Sequence, residues 1–229
     1  MTHATDTDGE ARLYTAPGEY VDSDHPAIRA FAAAAVGADA SPLEKAQRYY
    51  LAAREIRYDY DLDYGDPEIY RASSVLKAGR AYCVGKAALF AALCRAGGVP
   101  ARVAFADVTN HLSSERLREK VGTNYFAWHG FTEVRLDGRW VKASPTFNAT
   151  LCARFGVAPL AFDGAADALL QAYDGEGRTF MRYEALHGAF HDVPAKFLMA
   201  EMVRIYPRLS QPRARSAGGM ESEVPLASS

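Results

Sequence analysis

The amino-acid sequence predicts an α+β fold, and three stretches carry that reading. An apolar helical run begins at Cys83 and stops at Gly97-Gly98. Residues 101–108 then alternate in the manner of a strand. A longer aromatic and β-branched run, 124–136, meets the turn signal Asp137-Gly138 and returns as Arg139-Trp140-Val141-Lys142-Ala143.

Taken in chain order, Met1–Gly9 is polar and expected to be loose. His25–Val36 and Ser41–Arg57 read as helices, the second opened by Ser41 with Glu44 three residues on, a capping-box pattern. Tyr58–Gly65 is a tyrosine- and aspartate-rich connection, read as a solvated linker with a substrate-side loop as the alternative. The helix from Cys83 carries Val84, Ala87, Ala88, Leu89, Phe90, Ala91, Ala92 and Leu93 with few polar interruptions. It is therefore a mostly buried helix rather than an amphipathic surface one. Gly97-Gly98 permits a left-handed cap and Pro100 follows. Ser113–Val121 and Phe147–Phe155 read as short helices, and Asp163–Arg178 as a glycine- and aspartate-rich loop. Met181–Ile205 reads as helical stretches interrupted by Gly188 and Pro194. The expected organisation is a flexible segment over 1–10, one domain over 11–209, and a disordered tail over 210–229.

Composition narrows the function classes. The chain has 229 residues, with 26 basic against 28 acidic side chains. That balance argues for neither nucleic acid nor an anionic membrane as partner. Three dispersed cysteines, no leader pattern and no apolar run of spanning length point to a reducing cytoplasm. No Cys or His spacing suggests a metal, and no cofactor is expected. Cys152 is isolated, and His187 and His191, four apart, read as surface or core residues on a shared helix face.

Chemistry enters with Cys83. A thiol on the first turn of a helix faces unpaired N–H groups and the positive end of the macrodipole, which favour thiolate. A thiolate there is a nucleophile for acyl transfer. His129, on the first strand of the predicted hairpin, is the candidate base. Either residue alone is ordinarily structural; the pair is what suggests catalysis. Cys94, eleven positions after Cys83, faces the core and is too far along the helix for a bridge.

In order, the chain carries Cys83, Gly98-Val99-Pro100-Ala101-Arg102, His129, Asp137-Gly138-Arg139-Trp140-Val141 and Ser144-Pro145-Thr146. This ordered set resembles the transglutaminase-like superfamily. Glu19 to Pro26 and Pro159 to Gly164 are similar to the flanks of a bacterial branch of it. The resemblance implies a papain-like core, with the nucleophile helix packed on an antiparallel sheet and flanked by further helices. It also implies a Cys-His-Asp triad. Cys83 falls on the nucleophile, His129 on the base, and Ser144 on the position that usually holds the aspartate. Serine can accept a hydrogen bond from the imidazole but supplies no charge. Asn148, Asp107 and Asp163 are alternative orienting groups. A second departure is Ala81, where glycine is more usual.

The expected function is cysteine-dependent acyl transfer through a Cys83 thioester, followed by hydrolysis or aminolysis. The bond attacked is that of an amide, peptide or thioester, and the substrate is a small molecule, a peptide or an acyl thioester. The backbone N–H of Cys83 is the natural oxyanion donor. Tyr82 and Trp128 either line the acyl site or pack in the core. Two alternatives stand beside this reading: a catalytically silent binding protein of the same fold, suggested by Ser144, and an arylamine-type N-acyltransferase.

Overall fold

The structure, a computed structural model, describes residues 7–110, 114–169, 181–209 and 219–224. The order of elements is α1 (Thr7–Leu13), α2 (Pro26–Ala35), α3 (Pro42–Glu55), β1 (Arg57–Tyr58), α4 (Ala72–Ala78), β2 (Arg80–Ala81), α5 (Cys83–Ala96) and β3 (Ala101–Asn110). There follow α6 (Glu115–Val121), β4 (Tyr125–Leu136), β5 (Arg139–Ala143), α7 (Ala149–Arg154), β6 (Met181–Phe190) and α8 (Ala195–Ile205). Two 3-10 turns, Pro67–Ile69 and Gly219–Ser222, complete it. The class is α+β, as expected.

The main sheet runs β5-β4-β3-β6 with antiparallel pairing throughout. Helix α5 packs on β4 and β3, and α2, α3 and α4 cover its other side. Every residue from Cys83 to Arg95 is therefore buried, which explains the lack of a polar face in this helix. Burial forces its polar side chains to find partners. Lys86 is 0% exposed; its Nζ donates to the carbonyls of Arg54 and Ile56 at 2.8 and 2.5 Å, closing the end of α3. Burial draws the Lys86 ammonium down to about 7. Arg95, at the far end of α5, donates to the carbonyls of Ala101 and Ala16 at 2.9 and 2.8 Å and to that of His191. The capping box forms as read: Ser41 Oγ accepts from Glu44 N at 3.2 Å, and Glu44 Oε2 from Ser41 N at 2.8 Å.

Several sequence expectations are corrected. Thr7–Gly9, expected to be loose, open α1. Met181–Phe190 is a strand, not a helical stretch. Its helix-favouring Glu184, Ala185 and Leu186 are outweighed by β3, whose free edge requires a backbone partner. His187 thus lies on β6 and His191 beyond its end, so they do not share a helix face. Tyr58–Gly65 is not a solvated linker, because Tyr60 and Tyr64 are buried. Their hydroxyls are satisfied, Tyr64 donating to the Tyr60 carbonyl at 2.8 Å and Tyr60 to Glu223 Oε2 at 2.5 Å. Residues 219–224, assigned by sequence to the tail, form a turn that packs against α7 and β1. The rest of that tail, residues 1–6 and residues 170–178 of the expected loop lie outside the described residues.

One glycine sets the depth at which α5 sits. A Cβ on Gly130 would stand 2.8 Å from Val84 Cα and 3.2 Å from Val84 N. Those are backbone atoms that cannot rotate away, so only glycine lets the first turn of α5 rest on β4. Gly130→Ala is expected to push the helix start off the sheet and destabilise the fold by about 1–3 kcal/mol. Urea unfolding with an unchanged midpoint would show that the approach is looser than this.

Candidate active site

The first turn of α5 and the middle of β4 bring Cys83 and His129 to one cavity. Both side chains line it, together with Tyr58, Tyr60, Tyr64, Tyr82, Trp128, Thr146, Phe147, Tyr206 and Met220. Among the described residues its lining is mostly apolar and includes no charged side chain. Its free volume is only about 60 Å³.

His129 owes its placement to an irregularity in β4. Ala106 pairs with His129, but two residues on, Val108 pairs with Phe126, so β4 carries one extra residue. Trp128 absorbs it at φ +58, a left-handed conformation that bulky residues rarely adopt. The freed Trp128 N–H donates to Asp107 Oδ1 at 3.0 Å. Tyr206 Oη accepts from Ala127 N at 2.6 Å and donates to the Tyr125 carbonyl at 3.2 Å. The Trp128 ring stacks on His187 with centroids 4.1 Å apart.

Each orienting candidate can now be placed. His129 Nε2 lies 3.3 Å from Ser144 Oγ, and Ser144 Oγ lies 2.8 Å from Thr146 Oγ1. The histidine therefore meets a relay of hydroxyls in place of a carboxylate. Asp107 is committed elsewhere: besides Trp128 N, it accepts from Tyr125 Oη at 2.5 Å and pairs with His187 Nε2 at 2.7 Å. Burial raises its carboxyl, but these bonds outweigh that and hold it below the usual range. Asn148 joins other backbone and side-chain groups, accepting from Tyr58 N at 3.2 Å and donating to Glu221 Oε1 at 2.6 Å. Asp163 is exposed and caps a turn by accepting from Ala165 N at 2.8 Å and Ala166 N at 3.2 Å. Of the four candidates, only Ser144 bonds the imidazole. Tyr82 and Trp128 both line the cavity and also pack, Tyr82 edge-on to Tyr64 and Tyr70, and Trp128 to Phe105 and Phe197.

Electrostatically the pair differs from the sequence expectation. Burial pushes the Cys83 thiol up to about 11, although the backbone N–H groups of Gly130, Val84 and Cys83 favour its charged form. Burial alone pulls the His129 imidazolium down to about 3. At neutral pH both groups are uncharged, so the helix start does not by itself yield a thiolate here. Desolvation outweighs the end of the helix dipole.

Tyr58, Tyr60 and Tyr64 line the cavity and fall in the stretch whose alternative reading is a substrate-side loop. Sequence reading missed Thr146, Tyr206 and Met220 as cavity residues. Thr146 had a signal, its spacing of two from Ser144; Tyr206 and Met220 had none, since they reach the cavity from distant parts of the chain. Among the described residues no group of His, Cys, Asp and Glu is arranged to hold a metal ion. Nor, among them, is any helix long and apolar enough to cross a membrane.

The model of the transglutaminase-like superfamily matches residues 29–145. No curated protein matches the sequence. Among solved structures the chain is similar to "a Putative Cysteine Protease from Cytophaga hutchinsonii", at 18% identity and a TM-score of 0.47. That match covers 82% of this chain and 57% of the other, so the chain spans little more than half the length of that protein.

Two measurements test the site. Because the unfolded histidine titrates near 6.5 and the buried one near 3, the unfolded chain binds the extra proton between those values. Stability should therefore fall as pH drops below about 6.5, by at most about 1.4 kcal/mol per unit from this residue. His129→Gln should flatten the urea-stability profile between pH 6.5 and 4 relative to the parent; parallel profiles would refute a neutral buried imidazole. Second, Ser144→Asp should stabilise the imidazolium and with it the thiolate, raising Cys83 alkylation at pH 7 by about tenfold. An unchanged rate would mean that residue 144 does not govern the histidine.

Proposed function

The chain belongs to the transglutaminase-like superfamily, and we propose that it is a cysteine acyltransferase or hydrolase that works through a Cys83 thioester. The observation that carries the reading is the convergence of Cys83 and His129 on one cavity, with His129 Nε2 held by Ser144.

The steps follow from that arrangement. With Nε2–H donated to Ser144 Oγ, Nδ1 keeps its lone pair and serves as the base. As the substrate carbonyl arrives, Nδ1 takes the thiol proton while sulfur attacks carbon. The N–H groups at the start of α5, that of Cys83 first, turn from the sulfur to the developing oxyanion. The imidazolium returns its proton to the leaving group, and the thioester passes to water or to an amine. In this reading Ser144, itself bonded to Thr146, accepts from Nε2–H but offers no charge to the imidazolium. Charge separation is therefore harder than with an aspartate, which favours activated acyl donors, thioesters or esters, over plain amides.

The same neutral resting pair supports a second reading, a member of the fold that binds its ligand without turnover. Incubation with acyl thioesters, aryl esters and amides, followed by intact-mass analysis, separates the two. Acyl transfer predicts an adduct on Cys83 that Cys83→Ala abolishes and Cys94→Ala spares. No adduct from any donor, or equal labelling of Cys94, would leave the binding reading.

A further inference from the structure

The cavity at Cys83 is too small for the chemistry assigned to it. Its free volume of about 60 Å³ would hold about two water molecules. Pockets that hold small ligands run to about 300–1,000 Å³. Something must move before an acyl group can approach the sulfur.

The lining comes from core elements, from flanking segments such as Tyr60, Tyr64, Phe147 and Tyr206, and from one short turn. Cys83, Val108, Phe126 and His129 belong to α5 or the sheet, where displacement would break the core. Met220 belongs instead to a four-residue 3-10 turn outside the sheet and the helical layer. Its side chain is 0% exposed and lies in the cavity wall. The turn is held there by polar tethers. Glu221 accepts from Asn148 at 2.6 Å. Glu223 accepts from Tyr60 Oη at 2.5 Å and Ser114 Oγ at 2.9 Å, and pairs with Arg116 at 3.0 Å. The Val224 carbonyl accepts from Arg154 at 2.8 Å. An uncharged, flexible thioether thus fills the apolar slot, while Glu221 and Glu223, which are not part of the lining, are held by Asn148, Tyr60, Ser114 and Arg116.

We propose that Gly219–Val224 is a displaceable plug of the Cys83–His129 pocket, and that Met220 occupies the place of an uncharged apolar acyl group of the substrate. The proposal rests on the acyl-transfer reading for the identity of that substrate. Release of the turn breaks hydrogen bonds and one ion pair and withdraws Met220 and Val224 from the apolar core, while α5 and the sheet keep their own contacts. The vacated slot offers aromatic and methionine surface and no cation to hold a carboxylate, so a charged acyl chain would be buried without a partner.

The test measures access to Cys83 and needs no turnover. Full-length protein is treated with N-phenylmaleimide or with 4-maleimidobenzoic acid, which carry the same reacting group and differ in a carboxylate. Rates are normalised to glutathione and located by peptide mass. Met220→Ala should accelerate N-phenylmaleimide at Cys83 by about tenfold by raising the open fraction, with little change for the carboxylated reagent. Glu223→Gln, which leaves the apolar slot intact, should act in the same direction more weakly and keeps the test decisive if Met220→Ala fails to fold. Unchanged rates in the folded variants would overturn the plug. Equal acceleration of both reagents would overturn the apolar preference. Faster labelling without any acyl adduct would leave the plug standing and remove acyl transfer instead.

Discussion

The approach of α5 to β4 at Gly130 is the constraint from which the site follows. A side chain there would meet the backbone of Val84. Without one, the first turn of a fully buried helix rests on the strand that carries His129. The surrounding architecture maintains that contact. Helices α2, α3 and α4 press α5 onto the sheet from behind, and Lys86 ties it to the end of α3. The residue next to His129 is thus the one whose lack of a side chain admits Cys83.

The same burial decides the charge state. A helix N-terminus stabilises an anion by about 0.3–1 kcal/mol, up to about 2 in partly buried sites. Removal of the thiolate from water works against this and prevails, since the Cys83 thiol rises from 9.0 to about 11. No carboxylate compensates, because Ser144 and Thr146 stand beside the imidazole. The pair rests neutral, and its reactivity depends on what enters the cavity.

Asp107 illustrates how a residue can shape the cavity without bonding to Cys83 or His129. It sits opposite the extra residue of β4 and accepts the N–H that the bulge releases. A left-handed residue with a bulky side chain costs on the order of 1–3 kcal/mol, and such conformations persist only when their surroundings over-determine them. Asp107 from β3, Tyr206 beyond α8 and His187 from β6 each hold part of the bulge. Tyr206 and β6 lie far along the chain, and both converge on the segment that aims His129.

What the sequence determined by itself is the chemistry of short range. The capping box of α3, the mostly apolar helix from Cys83, the Asp137-Gly138 hairpin and the order of Cys83, His129 and Ser144 all depend on neighbours a few residues apart or on residue identity. The tertiary structure decided the rest. Met181–Phe190 became a strand because β3 needed a partner. Tyr60 and Tyr64 were buried by elements distant in sequence, and Met220 reached the cavity from 137 positions beyond Cys83. The protonation states of Cys83 and His129 were likewise beyond local reading, because desolvation is set by everything packed around a group and not by its place in a motif.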